Sequence, residues 1–170
     1  MLTVIRLGHR IFRDQRITTH CALVSRAFGA DRMYYSGQKD AGLEKAVQKM
    51  VAQWGGNFSV EYTDNWKGIL NSLKCKIVHL TAYGIPLEKS VGAIRKCRGI
   101  AIVIGGEKVP PEIFQLADWN VAVGSQPHSE VAALAIFLDR LNPAWPGKKF
   151  AKARLEIQPM ERGKSVRKVS

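Results

Sequence analysis

Ile100-Ala-Ile-Val-Ile-Gly-Gly-Glu-Lys-Val-Pro-Pro111 joins a short unbroken apolar run to a turn of paired glycines and paired prolines. A run this short, rich in β-branched side chains, suits a strand buried on both faces, as strands of a parallel sheet are. The glycines let the backbone come close to a ligand, and the prolines suit the first turn of a helix, where a missing N–H is harmless. The same unit recurs on either side. Upstream, Ile77–Thr81 reads as a strand that runs into Thr81-Ala-Tyr-Gly-Ile-Pro86 and a helix over Leu87–Lys96. Downstream, Asn120–Val123 runs into Gly124-Ser-Gln-Pro-His-Ser129 and a helix over Ser129–Leu141. Strands at Thr3–Leu7, Arg32–Tyr35 and Phe58–Tyr62 complete the set, separated by helices at Thr19–Phe28, Ala41–Trp54 and Asp64–Leu73, with a further short helix at Pro111–Leu116. Asp40 is placed to cap the second helix and Gly55 to end it. Alternation of this kind predicts an α/β domain built on a parallel sheet.

In such a sheet the three glycine-bearing turns all emerge at the carboxyl ends of their strands, where ligands bind. They predict a small-molecule pocket. No G-x-x-x-x-G-K-[ST] is present, which argues against a phosphate-cradling loop. No G-x-G-x-x-G follows the first strand, which argues against a dinucleotide fold.

The net charge of +12 points to a polyanionic partner. Arg6, Arg10, Arg13, Arg16 and Arg26 stand against Asp14 alone in the N-terminal stretch, and the stretch from Lys148 is again strongly basic. Prolines in that stretch argue against a long membrane-surface helix. No apolar run approaches the roughly 20 residues that span a bilayer, and no signal-peptide pattern opens the chain, so a cytoplasmic protein is expected. Cys21, Cys75 and Cys97 form no C-x-x-C pair and read as small apolar residues. His9, His20, His79 and His128 lack metal-ligand spacing, so no metal is expected. Residues 1–141 read as one domain and 142–170 as a basic extension, with Phe150–Gln158 a short strand or hairpin and the last residues loose. The helix Val131–Leu138 is apolar on nearly every side, which predicts cover from a second copy of the chain in a homodimer.

Several blocks carry a resemblance to a known family: Arg6-Leu-Gly-His-Arg10, Arg16-Ile-Thr-Thr-His20, Arg26-Ala-Phe-Gly-Ala30, His79-Leu-Thr, Gly105-Gly-Glu-Lys-Val-Pro110, Asp118-Trp-Asn-Val-Ala-Val-Gly124 and Gln126-Pro-His-Ser-Glu-Val131. The chain resembles the archaeal tRNA cytidine-56 2′-O-methyltransferases of the SPOUT class. The resemblance implies a parallel sheet sandwiched by helices, a C-terminal part threaded into a deep trefoil knot, a homodimer, and S-adenosylmethionine as methyl donor. It implies methylation of the ribose 2′-oxygen of cytidine 56 in the T-loop of tRNA. It places the cofactor at Leu80, at Gly105, Gly106, Glu107, Lys108 and Val109, and at Val123, Gly124, Ser125, Gln126, Pro127, His128, Ser129 and Glu130. The six-residue spacing of His20 and Arg26 matches a class motif in which the arginine meets the ribose hydroxyl, nominating Arg26 as catalytic. His20 stands where the wider class has Asn, and Glu130 where it tends to have Asn.

Arg6, Arg10, Arg13, Arg16 and His20 are the expected RNA contacts. A guanidinium, with pKa above about 12, is a poor base, so Arg26 is expected to stabilise developing alkoxide. Two other readings fit the charge: a non-catalytic RNA-binding protein, and an α/β enzyme acting on a small anionic metabolite.

Overall fold

The computed structural model describes residues 1–106, 109–147 and 149–169. Six strands, β1 (Leu2–His9), β2 (Arg32–Gly37), β3 (Ser59–Tyr62), β4 (Lys76–Pro86), β5 (Ile100–Gly105) and β6 (Trp119–Ala122), form one parallel sheet in the order β3-β2-β1-β5-β4-β6. Helices α1 (Ile11–Ala27), α2 (Ala41–Trp54), α3 (Trp66–Leu73), α4 (Leu87–Ile94), α5 (Glu112–Leu116) and α6 (Glu130–Leu141) alternate with them. The opening run behaves as its composition demands: Ala101, Ile102 and Val103 are fully buried in the middle of the sheet. One face packs on α1, α2, α4 and α6 through residues such as Cys21, Leu43, Leu87 and Phe137. The other packs on α3 and α5 through Leu70 and Ile113. Burial raises the Cys21 thiol to about 12, so it sits in the core as an unreactive apolar group.

Asp40 caps α2, its Oδ1 accepting from the backbone N–H groups of Gly42 and Leu43 at 2.9 and 3.0 Å. Two elements differ from the sequence reading. Helix α1 begins at Ile11, a full two turns before the expected Thr19. The buried positions of those turns are Asp14 and Thr18, so the inward face carries no apolar periodicity. Asp14 instead accepts from the Arg10 backbone N–H at 3.1 Å and from Arg10 Nε at 2.9 Å. The last residues, expected to be loose, form β8 (Ser165–Lys168), antiparallel to β7 (Leu155–Gln158).

This hairpin is anchored to the end of α2. Gly56 N donates to Ala151 O at 2.8 Å and Arg154 N to Gln53 O at 2.9 Å. Gly55 ends α2 with φ +78°, and a Cβ there would stand 2.6 Å from Ala151 O. Only glycine fits that turn. Among the described residues, no helix is long and apolar enough to cross a membrane.

Candidate functional site

The carboxyl ends of β4, β5 and β6 enclose a cavity of about 670 Å³ lined by residues of all three glycine-bearing turns. That volume lies within the usual range for small-molecule sites. The convergence expected from composition is therefore present in the fold.

The first wall is an excursion in β4. Leu80 and Ile85 both pair with Val121 of β6, so residues 81–84 are pushed out of the ladder. Gly84 makes this possible: a Cβ there would stand 2.5 Å from Val121 N and 2.6 Å from Asn120 O, both fixed backbone atoms. Tyr83, next to that contact, is 89% exposed at the cavity mouth. The second wall is Gly105 and Gly106, with the Val109 side chain packed against the position a Gly105 Cβ would take. The third is Val123, Pro127, His128 and Glu130. Ser129 caps α6, its hydroxyl accepting from Val131 N at 3.1 Å.

Of the residues expected to hold a cofactor, Leu80, Gly105, Gly106, Val109, Val123, Pro127, His128 and Glu130 line the cavity. Gly124, Ser125, Gln126 and Ser129 lie in the same connection without lining it. Glu107 and Lys108 fall outside the described residues. The sequence reading gave no cavity role to His79, Phe114, Val121 and Ala133, which also face the cavity. His79 lay inside a quoted motif, and its position one residue before Leu80 at the end of a parallel strand was the available signal.

The arginines separate into three groups. Arg6 was expected to meet RNA, but it is fully buried beneath the cavity floor, its Nη2 donating to Glu130 Oε1 at 2.9 Å. A Cβ on Gly106 would stand 4.0 Å from the same Nη2. Arg10, Arg13 and Arg16 occupy the first turns of α1, beside the carboxyl end of β1 and so at the cavity's end of the sheet. Arg13, Arg16 and His20 are exposed.

Arg26 stands apart from the cavity of its own chain. Helix α1 runs back along the sheet for 17 residues, which is about 25 Å at 1.5 Å per residue. Arg26 in its last turn thus lies at the amino ends of the strands, away from the cavity. Its Nη2 donates to Trp54 O at 2.6 Å and to Gly55 O at 2.7 Å, its Nε to Gly55 O at 3.1 Å, and Phe150 lies 4.3 Å beneath the guanidinium. A cation on the carbonyls that end α2 satisfies groups the helix leaves unpaired. Arg26 therefore joins α1, α2 and the C-terminal segment. Arg26→Ala is expected to lower stability by about 2–4 kcal/mol, the sum of charged hydrogen bonds and a cation–π contact. Chemical denaturation checks this, and an unchanged midpoint with lost methyl transfer would restore the catalytic assignment.

Two histidines are buried. His9 (0% exposed) has Nδ1 2.8 Å from Thr18 Oγ1 and Nε2 3.6 Å from Asp40 Oδ2. His79 (1% exposed) has Nδ1 2.8 Å from Asn120 Oδ1. Burial lowers both pKa values, with the Arg6 charge adding to the effect at His9. The fold thus favours their neutral forms. Their contribution to stability is fully present above the unfolded value of about 6.5 and is lost as pH falls below it. The midpoint of unfolding should drop between pH 7 and pH 5, where carboxylates change little. A flat profile would contradict these assignments.

The fold matches solved structures of SpoU-type methyltransferases. The A. aeolicus TrmH/SpoU tRNA modifying enzyme superposes with a TM-score of 0.62 at 16% identity, covering 86% of this chain and 76% of that one. The AviRb methyltransferase from Streptomyces viridochromogenes, solved with AdoMet, gives 0.61 at 12% identity, covering 83% and 56%. At these identities the likeness concerns the fold: the class is an α/β sheet of the SpoU type. Sequence carries the assignment further. Residues 54–167 match the tRNA ribose 2′-O-methyltransferase family, and the tRNA (cytidine(56)-2′-O)-methyltransferase of Thermococcus kodakarensis is 50% identical across 98% of this chain and 96% of its own length. The chain belongs to the tRNA ribose 2′-O-methyltransferase family.

Proposed function

We propose that the cavity binds S-adenosylmethionine and that the protein methylates the ribose 2′-oxygen of cytidine 56 in tRNA. The observation that carries this reading is the meeting of three glycine-bearing turns around one cavity, in a chain half identical over its length to an enzyme of that activity. The residues fit the cofactor. Gly106 adds no side chain to its wall and a Cβ there would meet nothing nearer than 4.0 Å, so a bound molecule can approach its backbone closely. Val109, Val121, Val123 and Phe114 supply apolar surface for a heteroaromatic ring. When bound, S-adenosylmethionine supplies an electrophilic methyl carbon.

The chain's own part is to align the ribose hydroxyl, offset the charge that develops on its oxygen, and exclude water. Alignment of two bound groups supplies several kcal/mol of a barrier. Cations at the cavity's end of the sheet include those at the start of α1, so Arg10, Arg13 and Arg16 would hold the RNA phosphates beside the sugar. His20, exposed one turn further along α1, extends this strip. The 142–170 extension adds a second basic surface through residues such as Arg162 and Lys164. The C-terminal part is read as threaded into a deep trefoil knot, as the resemblance to the SPOUT class implies.

A homodimer is favoured by apolar surface left uncovered. Helix α6 buries Leu134, Phe137 and Leu138 but leaves Ile136 45% exposed, and Phe12 on the neighbouring α1 is fully exposed. Ile136→Glu should shift sedimentation from two chains to one. A wild-type protein already sedimenting as one chain would remove the dimer.

Calorimetry with S-adenosylhomocysteine, paired with tRNA binding at several salt concentrations, separates the function readings. The enzyme binds both, and RNA affinity falls steeply with salt. A protein that binds RNA without the cofactor is a non-catalytic binder, and one that binds the cofactor without tRNA acts on another substrate.

A further inference from the structure

His79 sits in the cavity floor within a chain of hydrogen bonds whose direction can be worked out. Asn120 Nδ2 donates to the backbone carbonyl of Phe114 at 2.9 Å. A carbonyl can only accept, so this contact orients the Asn120 amide with its NH2 group toward α5. Asn120 Oδ1 is then the atom 2.8 Å from His79 Nδ1. Oδ1 has no proton to give, so Nδ1 carries the hydrogen. In a neutral imidazole the other nitrogen is then a bare acceptor. Burial keeps the ring neutral. Phe114 stands edge-on to it, with centroids 4.7 Å apart and planes at 90°, which restrains the ring's rotation. Among the described residues, no hydrogen bond is formed to His79 Nε2. The residue is 1% exposed and lines the cavity, so an Nε2 that no described residue bonds is withheld from bulk water and available only from within the cavity.

We infer that His79 Nε2 is the acceptor that reads the exocyclic amine of the cofactor's purine and makes the pocket selective for a 6-aminopurine. The inference rests on the reading of this cavity as the S-adenosylmethionine site. The cofactor carries three kinds of hydrogen-bond donor: an ammonium, ribose hydroxyls and the purine amine. Phe114 stands against His79, and Val109, Val121 and Ala133 supply further apolar lining of the same cavity. An ammonium placed against Phe114 would lose its water without gaining a free counter-charge, because the carboxylate of the lining, Glu130, is already paired with Arg6, and that costs far more than one hydrogen bond returns. A ribose hydroxyl would leave its own lone pairs unmatched on the same walls. A flat heteroaromatic ring with one N–H edge matches both the apolar surface and the single acceptor. Asn120 acts as a positioning residue, because it selects the tautomer.

The test compares S-adenosylhomocysteine with S-inosylhomocysteine, which carries a carbonyl in place of the amine. With the wild-type protein, titration calorimetry should give a preference of about 100-fold for the adenosyl compound, because the carbonyl sets a lone pair against a lone pair in a buried site. His79→Gln offers an amide that can turn to donate or accept. In this variant, with folding verified by circular dichroism, the preference should fall to about 3-fold or less while adenosyl binding persists. Equal affinity of the wild-type protein for the two compounds overturns the inference, and this arm needs no variant to fold. A full preference retained by folded His79→Gln also overturns it, because another acceptor is then reading the amine. Failure of the wild-type protein to bind either compound removes instead the reading of the cavity on which the inference stands.

Discussion

Glu130→Ala lowers the unfolding free energy by about 3 kcal/mol or more, measured by chemical denaturation at neutral pH. The size follows from what the substitution leaves behind. Arg6 is fully buried in β1, and Glu130 supplies the counter-charge within 2.9 Å. Among the described residues, Arg6 Nε and Nη1 have no hydrogen-bond partner, so the guanidinium is already poorly satisfied. Removing the carboxylate strands a buried cation, whereas removing both charges together relieves the problem. The double variant Arg6→Met, Glu130→Leu should therefore be more stable than Glu130→Ala alone. Additive losses would contradict the pairing. The same ion pair ties β1 to the first turn of α6, so it also fixes the cavity wall that ends at Glu130.

Gly84→Val should reduce methyl transfer by at least 100-fold through loss of cofactor affinity. A side chain there collides with the β6 backbone at Asn120 and Val121. Backbone in the middle of a sheet cannot yield as a flexible side chain does, so the 81–84 excursion must lift away and take the Leu80–Tyr83 wall with it. A displacement of about 1 Å in a wall that aligns reacting groups already costs on the order of 100-fold. The expected signature is weak binding of S-adenosylhomocysteine by a chain that still melts cooperatively. Unchanged affinity would show that the excursion does not shape the site.

The sequence made the sheet legible because parallel strands are buried on both faces and leave unbroken runs such as Ile100–Ile104. It made the cavity legible because three such runs ended in glycine-bearing turns. It hid the start of α1, where the buried contacts are Asp14 and Thr18 and no apolar stripe exists to read. It hid the fates of Arg6 and Arg26 for a related reason. An arginine's letter does not say whether its guanidinium meets water, a carboxylate or a helix end, and here two of the five N-terminal arginines are interior supports. Sequence spacing placed Arg26 near a sugar. The antiparallel course of α1 carries it to the other end of the sheet.

In the proposed function, the cavity at the carboxyl ends of β4, β5 and β6 serves transfer of a methyl group to one ribose oxygen of tRNA. The most direct measurement uses methyl-labelled S-adenosylmethionine with two tRNA transcripts that differ only in a 2′-deoxycytidine at position 56. The predicted result is one label per molecule on the 2′-oxygen of cytidine 56 in the ribose transcript and none in the deoxy transcript. Equal labelling of the two transcripts, or label found on a base, would contradict it.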